Sequence, residues 1–317
     1  MSERYHPSPD QVAFADSVSK SLVSILPLSR LHEAHEESVP TWEALRELGL
    51  FGIATSEAQG GSGLGATEEA LLVVELGRRV VAPSVLATLA AAHLVPASRG
   101  ASAGPGERRV AAGYQRAERT VFVEDTRADM LLMRSPSGAR LFALPKSSRV
   151  LDSQLWSSRL RETAELGPQL AEASPAQSLR LRLLEAAALA GVARTALEMA
   201  VAYAGLREQF GRPIGSFQAI KHHCANMALA ARCAADQVSF AAVALDHGRA
   251  DAVLQVESAF YVAGSAALDN CGKNIQVHGG MGFSDEADPH RLLKRARVLL
   301  EIAGGLEAAL VRIGDCP

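Results

Sequence analysis

The chain has 317 residues with 48% hydrophobic and 21% charged side chains, proportions that are ordinary for a globular protein with a buried core. They exclude a disordered chain and a disulfide-stapled scaffold, and the net charge of −3 argues against a nucleic-acid-binding protein, which would carry a basic face. Aromatic residues make up only 5%, so the core must consist mainly of Ala, Leu and Val, which favours helices. We expect no metal site, because the four cysteines lack CxxC spacing and adjacent histidines point about 100° apart on a helix.

Residues 1–100 are predicted to form a helical N-terminal domain. Pro7–Asp10 has the residues of a helix start and precedes apolar residues at helical spacing, and a second helix carries Trp42. The cluster Gly60–Gly63 does not follow a clear strand, so we interpret it as a tight turn rather than as a phosphate-binding loop. The first residues are polar and no run of 18 apolar residues occurs, so we expect a cytoplasmic protein that does not contact a membrane.

Residues 101–178 differ in composition and are predicted to form a shortened middle β domain. Three apolar segments with β-forming residues are predicted as strands, at 120–123, 130–133 and 140–144. Ser135–Gly138 lies between the last two segments and has the Ser, Pro and Gly residues of a hairpin turn. The Ala-, Ser- and Pro-rich stretch near Pro175 is expected to be an irregular edge of this domain.

Residues 179–317 are rich in alanine and are predicted to form a C-terminal helical bundle. Apolar residues alternate three and four positions apart from Phe217 to Leu245, which is the core-facing seam of a long helix. Helices are also predicted over 181–204 and 251–271, and the cysteines are interpreted as small core thiols. The predicted fold is therefore mainly α with a small β domain, in the order helical domain, β domain and four-helix bundle.

Two segments between the bundle helices contain residues suited to hold a ligand. In Leu206–Gly215, an Arg can make a bidentate contact to a phosphate and a Phe can pack on a planar ring. In Gln276–Phe283, three glycines allow close approach of a flat ligand, and Gln276 offers an amide to a nucleobase. Each segment alone is more often a structural loop, and Asp285 and Glu286 beyond the second one are expected to cap the next helix.

Together, these segments resemble the acyl-CoA dehydrogenase family. The family's bundle carries R-x-Q-F-G-x-P-I-x-x-F-Q followed by Q-x-x-G-G-x-G, and both patterns occur here, beginning at Arg207 and Gln276. The stretch from Trp42 to Arg78 is also similar to the family, with its Gly49-Leu50-Phe51-Gly52-Ile53 and Glu75-Leu76-Gly77-Arg78 segments. The resemblance covers most of the chain in the family's domain order, and it implies the family's fold.

The resemblance also implies a share in an FAD site. Family members bind FAD between subunits and oxidise the Cα–Cβ bond of an acyl-CoA thioester, with a glutamate as the base. The two bundle motifs reach across to the FAD of the neighbouring subunit, which here assigns Arg207 to the pyrophosphate, with Gln209 and Phe210 beside it. The residues that the resemblance places around the adenine end are Gln276, Gly279 and Gly280.

The half of the flavin site that a family member supplies to its own FAD is missing from this sequence. No segment of the T-E-x-x-x-G-S-D type, which holds the isoalloxazine in the family, occurs between residues 101 and 167. Ala303 stands at the position of the family's base, and Leu181 stands at the position that some relatives use instead. Neither side chain can accept a proton, so we expect no catalytic residue in this chain.

Two carboxylates near these positions are candidates for a displaced base. Glu185 lies one helical turn after Leu181, and Glu301 lies two residues before Ala303. A base misplaced by even about 1 Å loses much of its rate, so a structural role is the first interpretation of both.

The pattern resembles the short non-catalytic subunit of actinobacterial heteromeric (α2β2) acyl-CoA dehydrogenases. Such a subunit completes the FAD site of a longer catalytic acyl-CoA dehydrogenase subunit, and these pairs commonly act on bulky thioesters such as steroid side chains. The resemblance thus implies an FAD-dependent oxidoreductase that works on an acyl-CoA as part of a complex, with electron-transferring flavoprotein as the expected electron acceptor. Two alternatives stay open: a flavin-dependent enzyme of the same fold with non-dehydrogenase chemistry, and a non-enzymatic subunit for acyl-CoA binding or assembly.

Overall fold

The protein is mainly helical, with a small mixed β sheet between two helical parts, as the sequence predicted. The structure is a computed structural model, and it describes residues 6–33, 36–94, 104–135, 138–151 and 158–316.

Among the described residues, four α-helices precede the sheet. The first begins with a capping box, in which the Ser8 hydroxyl accepts from the Gln11 backbone N–H and the Gln11 side chain accepts from the Ser8 N–H. This arrangement satisfies two backbone donors that would otherwise lack partners at the helix start. The helices are α1 (Pro9–Ile25), α2 (Val39–Glu47), α3 (Ala66–Arg78) and α4 (Pro83–Ala91).

The glycine cluster before α3 is a tight turn, as predicted. A Cβ atom on Gly61 would lie 2.0 Å from the Thr55 hydroxyl and 2.3 Å from the Gly52 carbonyl oxygen. Glycine is therefore required because the turn packs directly on the preceding backbone.

The middle part is a seven-stranded sheet. Its strands follow the order β5-β6-β2-β1-β3-β4-β7, with β1 and β3 parallel and all other neighbours antiparallel. Ser135 pairs with Gly138 across the predicted hairpin, whose residues 136 and 137 lie outside the described residues. The strands are β1 (Arg109–Arg116), β2 (Arg119–Val123), β3 (Ala128–Ser135), β4 (Gly138–Ala143), β5 (Arg149–Val150), β6 (Leu160–Thr163) and β7 (Gln169–Glu172).

The three predicted strands correspond to β2, β3 and β4, whereas β1, β5, β6 and β7 were not predicted. β1 contains Val110-Ala111-Ala112-Gly113, whose composition does not favour a strand. It forms one because β2 and β3 pair with it on both sides, so tertiary pairing outweighs local preference.

The C-terminal part is a bundle with a small hairpin between its first two helices. Its elements are α5 (Pro175–Leu206), β8 (Glu208–Gln209), β9 (Arg212–Pro213), α6 (Gln218–Asp246), α7 (Ala252–His278), α8 (Pro289–Ile302) and α9 (Gly305–Gly314).

Three local predictions for this part were wrong. Pro175 is not at an irregular edge but opens α5, where the Ser174 hydroxyl accepts from the Gln177 backbone N–H. α7 continues past residue 271, because the buried Asn270 amide donates to backbone carbonyls of α5 and α6 and holds this stretch in the bundle. Asp285 and Glu286 do not cap α8, since Asp288 occupies the N-cap position.

The interpretation of the cysteines as core thiols is confirmed for Cys271, which is buried, so that desolvation raises the pKa of its thiol. Cys224 and Cys316 are half-buried, and Cys233 is exposed on α6, where a core role is wrong.

α5 and α6 are long and apolar enough, by length and composition alone, to cross a bilayer. In the fold, 61% and 39% of their most apolar windows are buried. Core helices of a bundle pass the same test, so the absence of membrane contact stays a prediction.

One face of the sheet packs against helices from both helical parts. Val110 and Leu132 of the sheet lie in one buried cluster with Ala90 of α4, Leu181 of α5 and Ile302 of α8. This junction brings the start of α5 and the end of α8 against the sheet, and it forms the walls of the cleft described below.

Candidate functional site

The predicted phosphate- and ring-binding residues of the first segment lie on the β8–β9 hairpin. Arg207 is the C-cap of α5, and Gln209 pairs with Arg212 across the hairpin. Phe210 and Gly211 form its two-residue turn, with positive φ angles of 53° and 74°. Two positive φ angles are the hallmark of a type I′ turn, in which Asn and Gly are the favoured residues.

Phe210 is an unfavourable residue for this turn. Its left-handed backbone is strained for a bulky side chain, and the side chain is 91% exposed. Its only ring contact among the described residues is edge-on to Phe217, with ring centroids 6.0 Å apart, while the Arg212 guanidinium lies 4.3 Å from the Phe217 ring centre. The hairpin therefore exposes an aromatic ring on a residue whose backbone conformation is strained.

The second predicted segment is partly helical, which corrects its interpretation as a loop. Gln276 and His278 belong to α7, and Gly279 ends the helix with a φ of 59°, before a short 3-10 turn over Gly279–Phe283. A Cβ atom on Gly282 would lie 2.5 Å from the Ile275 carbonyl oxygen, so packing requires that glycine. Gly280 has open space around it, so neither packing nor backbone conformation within this chain requires glycine there.

Both segments lie at the same end of the bundle. The Tyr203 ring, near the end of α5, stacks on the His278 ring at the end of α7, with centroids 4.0 Å apart. Burial lowers the pKa of His278, although its ring nitrogen also bonds the Asn274 carbonyl oxygen at 2.9 Å. The six predicted cofactor residues, all exposed, are Arg207, Gln209, Phe210, Gln276, Gly279 and Gly280.

A cleft of about 350 Å³ opens elsewhere, where the end of α8 meets the sheet and α5. Ala303 lines this cleft, and Leu181 lines a small apolar cavity beside it. Arg134 and Ile302 line both spaces. The two positions that the resemblance links to a catalytic base therefore adjoin one region, and neither holds a carboxylate.

Glu185, a candidate for a displaced base, is held by two arginines. Arg134 donates from Nε to Oε1 of Glu185 at 2.7 Å and from Nη2 to Oε2 at 3.3 Å. Arg182 lies 3.2 Å from Oε2. Because guanidinium donors occupy both carboxylate oxygens, Glu185 is a poor acceptor for a substrate proton.

Arg182 shapes the turn that carries Ala303. Its Nη1 donates to the Ala303 carbonyl oxygen at 2.7 Å, and its guanidinium lies 4.2 Å from the ring centre of Phe260. Burial lowers the pKa of Arg182, while the Glu185 charge opposes that shift. This arginine was not among the predicted site residues, although its i, i+3 spacing to Glu185 within an apolar helix was a visible signal.

Glu301, the other candidate, is exposed at the cleft. Tyr114 is close enough to feel its charge: burial raises the pKa of Tyr114, and the Glu301 carboxylate raises it further. Within the described residues, no group of three or more His, Cys, Asp and Glu side chains could hold a metal ion.

Comparisons with known proteins identify the family. Residues 179–315 match the family model of the acyl-CoA dehydrogenase C-terminal domain, and residues 8–100 match that of the N-terminal domain. The chain is 31% identical over 271 residues to the acyl-CoA dehydrogenase IpdE2 of Mycobacterium tuberculosis, covering 83% of this chain and 81% of that relative. The protein belongs to the acyl-CoA dehydrogenase family. Acyl-CoA dehydrogenases are FAD-binding flavoproteins and oxidoreductases.

Other members of the acyl-CoA dehydrogenase family are longer than this chain. The acyl-CoA dehydrogenase FadE34 of Mycobacterium tuberculosis is 35% identical over 301 residues, which cover 86% of this chain but 41% of FadE34. The probable acyl-CoA dehydrogenase YngJ of Bacillus subtilis is 40% identical over 124 residues, 39% of this chain and 32% of YngJ. The matched segments thus cover less than half of the length of each of these two relatives.

Solved structures share the fold of this acyl-CoA dehydrogenase family member over nearly its whole length. The steroid ACAD Tcur3481-Tcur3483 superposes with a TM-score of 0.78 and 24% identity, covering 97% of both chains. The ChsE4-ChsE5 complex from Mycobacterium tuberculosis superposes with a TM-score of 0.76 and 22% identity, covering 98% of both chains. At these identities the likeness shows the fold alone.

Proposed function

We propose that this chain is a non-catalytic subunit that completes the FAD site of a longer catalytic acyl-CoA dehydrogenase subunit. The pair carries out α,β-dehydrogenation of an acyl-CoA thioester, in which FAD, when bound, accepts the β-hydrogen as hydride. The observation that carries the proposal is the exposed, strained Phe210 at the tip of the β8–β9 hairpin.

Among the described residues, the edge-on contact with Phe217 is the one ring contact that offsets the strain at Phe210. A non-glycine residue in the left-handed region costs about 1–3 kcal/mol, and Asn or Gly would relieve it at this turn. A bulky ring that is 91% exposed contributes little to the core. A contact between the exposed Phe210 ring and a group supplied by another subunit would offset this strain.

The hairpin and the end of α7 offer donors that fit the family's cofactor. Arg207 would hold the pyrophosphate by charge and bidentate hydrogen bonds, with Gln209 and Phe210 beside it. Gln276, Gly279 and Gly280 would hold the adenine end, where the open space at Gly280 admits a flat ligand.

The residues around the cleft of this chain support the assignment of the catalytic base to the partner subunit. Ala303 and Leu181 offer no carboxylate, and Glu185 is bound by Arg134 and Arg182. A general base must reach the substrate proton with a free acceptor atom, which none of these residues provides.

The proposal extends to the substrate, the electron acceptor and the compartment. One structure with the same fold is named as a steroid ACAD, and another is named as an electron transferring flavoprotein. By analogy with these two proteins, we propose a bulky, steroid-type acyl-CoA as the substrate and electron-transferring flavoprotein as the electron acceptor. We propose the cytoplasm as the compartment.

Flavin stoichiometry tests the proposal. The chain is purified alone and together with a longer acyl-CoA dehydrogenase co-expressed from the same organism, and FAD per chain is measured by absorbance. We expect one FAD per pair in the complex and little in the lone chain. One FAD per chain in the lone protein would contradict the proposal.

Two variants test whether Arg207 of this chain contributes to FAD binding in the complex. Arg207→Gln removes the charge assigned to the pyrophosphate and should lower the flavin content of the complex several-fold. Arg232→Gln is the matched control, because Arg232 is an exposed arginine on α6 whose surface ion pair with Asp236 is worth little. Equal flavin content in the two variants would remove Arg207 from the site, and tight acyl-CoA binding without flavin in every complex would favour the non-enzymatic alternative.

A further inference from the structure

Five charged residues, three buried and two half-buried, form a continuous chain of alternating sign beside the cleft. Arg134 pairs with Glu185 at 2.7 Å, Glu185 with Arg182 at 3.2 Å, Arg182 with Glu257 at 3.5 Å, and Glu257 with Arg312 at 2.7 Å. We call these five residues the Arg–Glu chain. Three guanidinium groups face two carboxylates, so the chain carries one uncompensated positive charge.

Both ends of the Arg–Glu chain have unused donors. Nη1 of Arg134 and Nη2 of Arg312 are buried atoms without a hydrogen-bond partner among the described residues. Arg134 is only 7% exposed, so its unused donor is not turned toward bulk water. Buried donors of charged groups are rarely left unpaired, because water no longer compensates them.

Arg134 and Arg312 both line two adjoining clefts of about 350 and 370 Å³. Arg182 lines both clefts as well. Around Ala303 the wall of the first cleft is made of small residues, including Gly304 and Gly305, which leaves room for a compact ligand. The space and the positive charge therefore coincide, and the buried unused donors belong to side chains of the cleft walls.

One buried acceptor atom restricts which chemical groups the ligand can carry. Oε2 of Glu257 is buried without a hydrogen-bond partner, and Glu257 lines the second cleft together with Arg134 and Arg312. A ligand that satisfies this atom must donate a hydrogen bond, whereas a ligand that satisfies the two arginines must accept.

We propose that these clefts form a binding site for a small oxyanion that carries a hydroxyl group, such as dihydrogen phosphate or a 2-hydroxycarboxylate. The oxyanion accepts from Arg134 and Arg312, and its hydroxyl donates to Glu257. One negative charge on the ligand neutralises the positive charge of the Arg–Glu chain. The site is built from residues of this chain alone, so it can be tested without flavin or a partner subunit.

Isothermal titration calorimetry on the full chain tests the chemistry with two matched pairs of probes. Inorganic phosphate is compared with sulfate, and lactate with propionate, because the second member of each pair lacks the hydroxyl donor at neutral pH. We expect phosphate or lactate to bind at one site per chain, at least about tenfold more tightly than its matched probe. If neither phosphate nor lactate shows this preference, the proposal is wrong.

Substitutions test the location. Arg312→Gln should weaken binding of the preferred probe at least about tenfold, a loss of about 1.4 kcal/mol. Because Arg312 also pairs with the buried Glu257, circular dichroism must first show that this variant keeps the native fold. Arg232→Gln, at an arginine that is 77% exposed and has the same 2.7 Å ion-pair distance, should leave the affinity unchanged. Unchanged affinity in Arg312→Gln, or equal losses in both variants, would overturn the assignment.

Arg134→Gln gives a second test at the other end of the Arg–Glu chain, provided that circular dichroism shows a native fold. It should weaken binding by a similar factor, because it removes the second set of donors. If it fails to fold, the Arg312→Gln result decides alone. All of these measurements use the lone chain without flavin, so their failure would leave the proposed FAD-completing role intact.

Discussion

Gly77 on α3 and Gly191 on α5 lie at the point where the two helices touch backbone to backbone. A Cβ atom on Gly77 would be 2.1 Å from the Ala188 carbonyl oxygen, and one on Gly191 would be 2.1 Å from the Val74 carbonyl oxygen. No side chain separates the helices, so the N-terminal helices and the bundle share one hydrophobic core. This contact sets how the helices before the sheet sit on the bundle that follows it.

Alanine at either glycine should therefore destabilise the protein. Gly77→Ala would force α3 and α5 apart, with an expected loss of about 2–3 kcal/mol in the free energy of unfolding, measured by urea denaturation. Gly272→Ala is the matched control, because Gly272 is a glycine of α7 with no atom near its missing Cβ. There alanine should stabilise by up to about 1 kcal/mol through helix propensity. Similar effects at the two positions would contradict the close contact.

Glu37 should make stability depend on acid pH. Burial by itself would raise the pKa of Glu37, but the hydrogen bonds and charge of Arg30, helped by the Ala82 N–H, outweigh burial and lower the pKa below 4.5. A carboxyl group with a lowered folded-state pKa stabilises the fold above its unfolded pKa, and this contribution is lost as pH falls through the folded pKa.

We therefore expect Glu37→Gln to lose about 2–3 kcal/mol near neutral pH. The gap between the variant and the wild type should shrink as pH falls below the unfolded value of about 4.5. The control is Glu43→Gln, because Glu43 is exposed and pairs with Arg46 on the surface, so the cost should be below about 1 kcal/mol. Urea denaturation at several pH values measures both variants, and a gap that widens in acid would reverse the assigned sign.

Phe210→Asn should separate stability from function. Asn suits the type I′ turn, so the lone chain should gain about 0.5–1 kcal/mol in the free energy of unfolding. The complex with the catalytic partner should lose flavin, because the aromatic ring is gone. Val12→Ser serves as control, since Val12 is an exposed apolar residue on α1, far along the chain from the hairpin. Loss of stability in the lone chain together with full flavin in the complex would make Phe210 a structural residue.

Glu301→Gln should leave the turnover of the complex unchanged within about twofold, because this chain supplies no base under the proposal. Dye reduction with acyl-CoA measures the rate, and a loss of about a hundredfold or more would identify Glu301 as a base. The same variant has a second readout. Removing the Glu301 charge should lower the pKa of Tyr114 toward its ordinary value, which ultraviolet titration of tyrosinate detects.

The sequence by itself determined the elements whose signals are local. The three- and four-residue spacing from Phe217 to Leu245 corresponds to α6, because an amphipathic helix is encoded by its own period. The pattern from Arg207 to Phe210 marked a segment between two helices, which the structure shows to be a hairpin, and, through the family it resembles, it indicated the fold and cofactor class. Gln276 was singled out by the same local pattern, but its place on a helix was not foreseen.

Tertiary structure decided what depends on contacts between distant parts of the chain. β1 became a strand through its neighbours, and α7 continued past Gly272 through the buried Asn270 amide. Arg134, Arg182 and Arg312 belong to a strand and two helices, and the i, i+3 spacing of Arg182 to Glu185 is the one local sign that they share two glutamates. The spacing of apolar residues and the chemistry of turns act over a few residues. Burial and charge pairing arise only when the sheet, α5 and α9 pack together. A charged cleft of this kind is therefore visible only in the folded molecule.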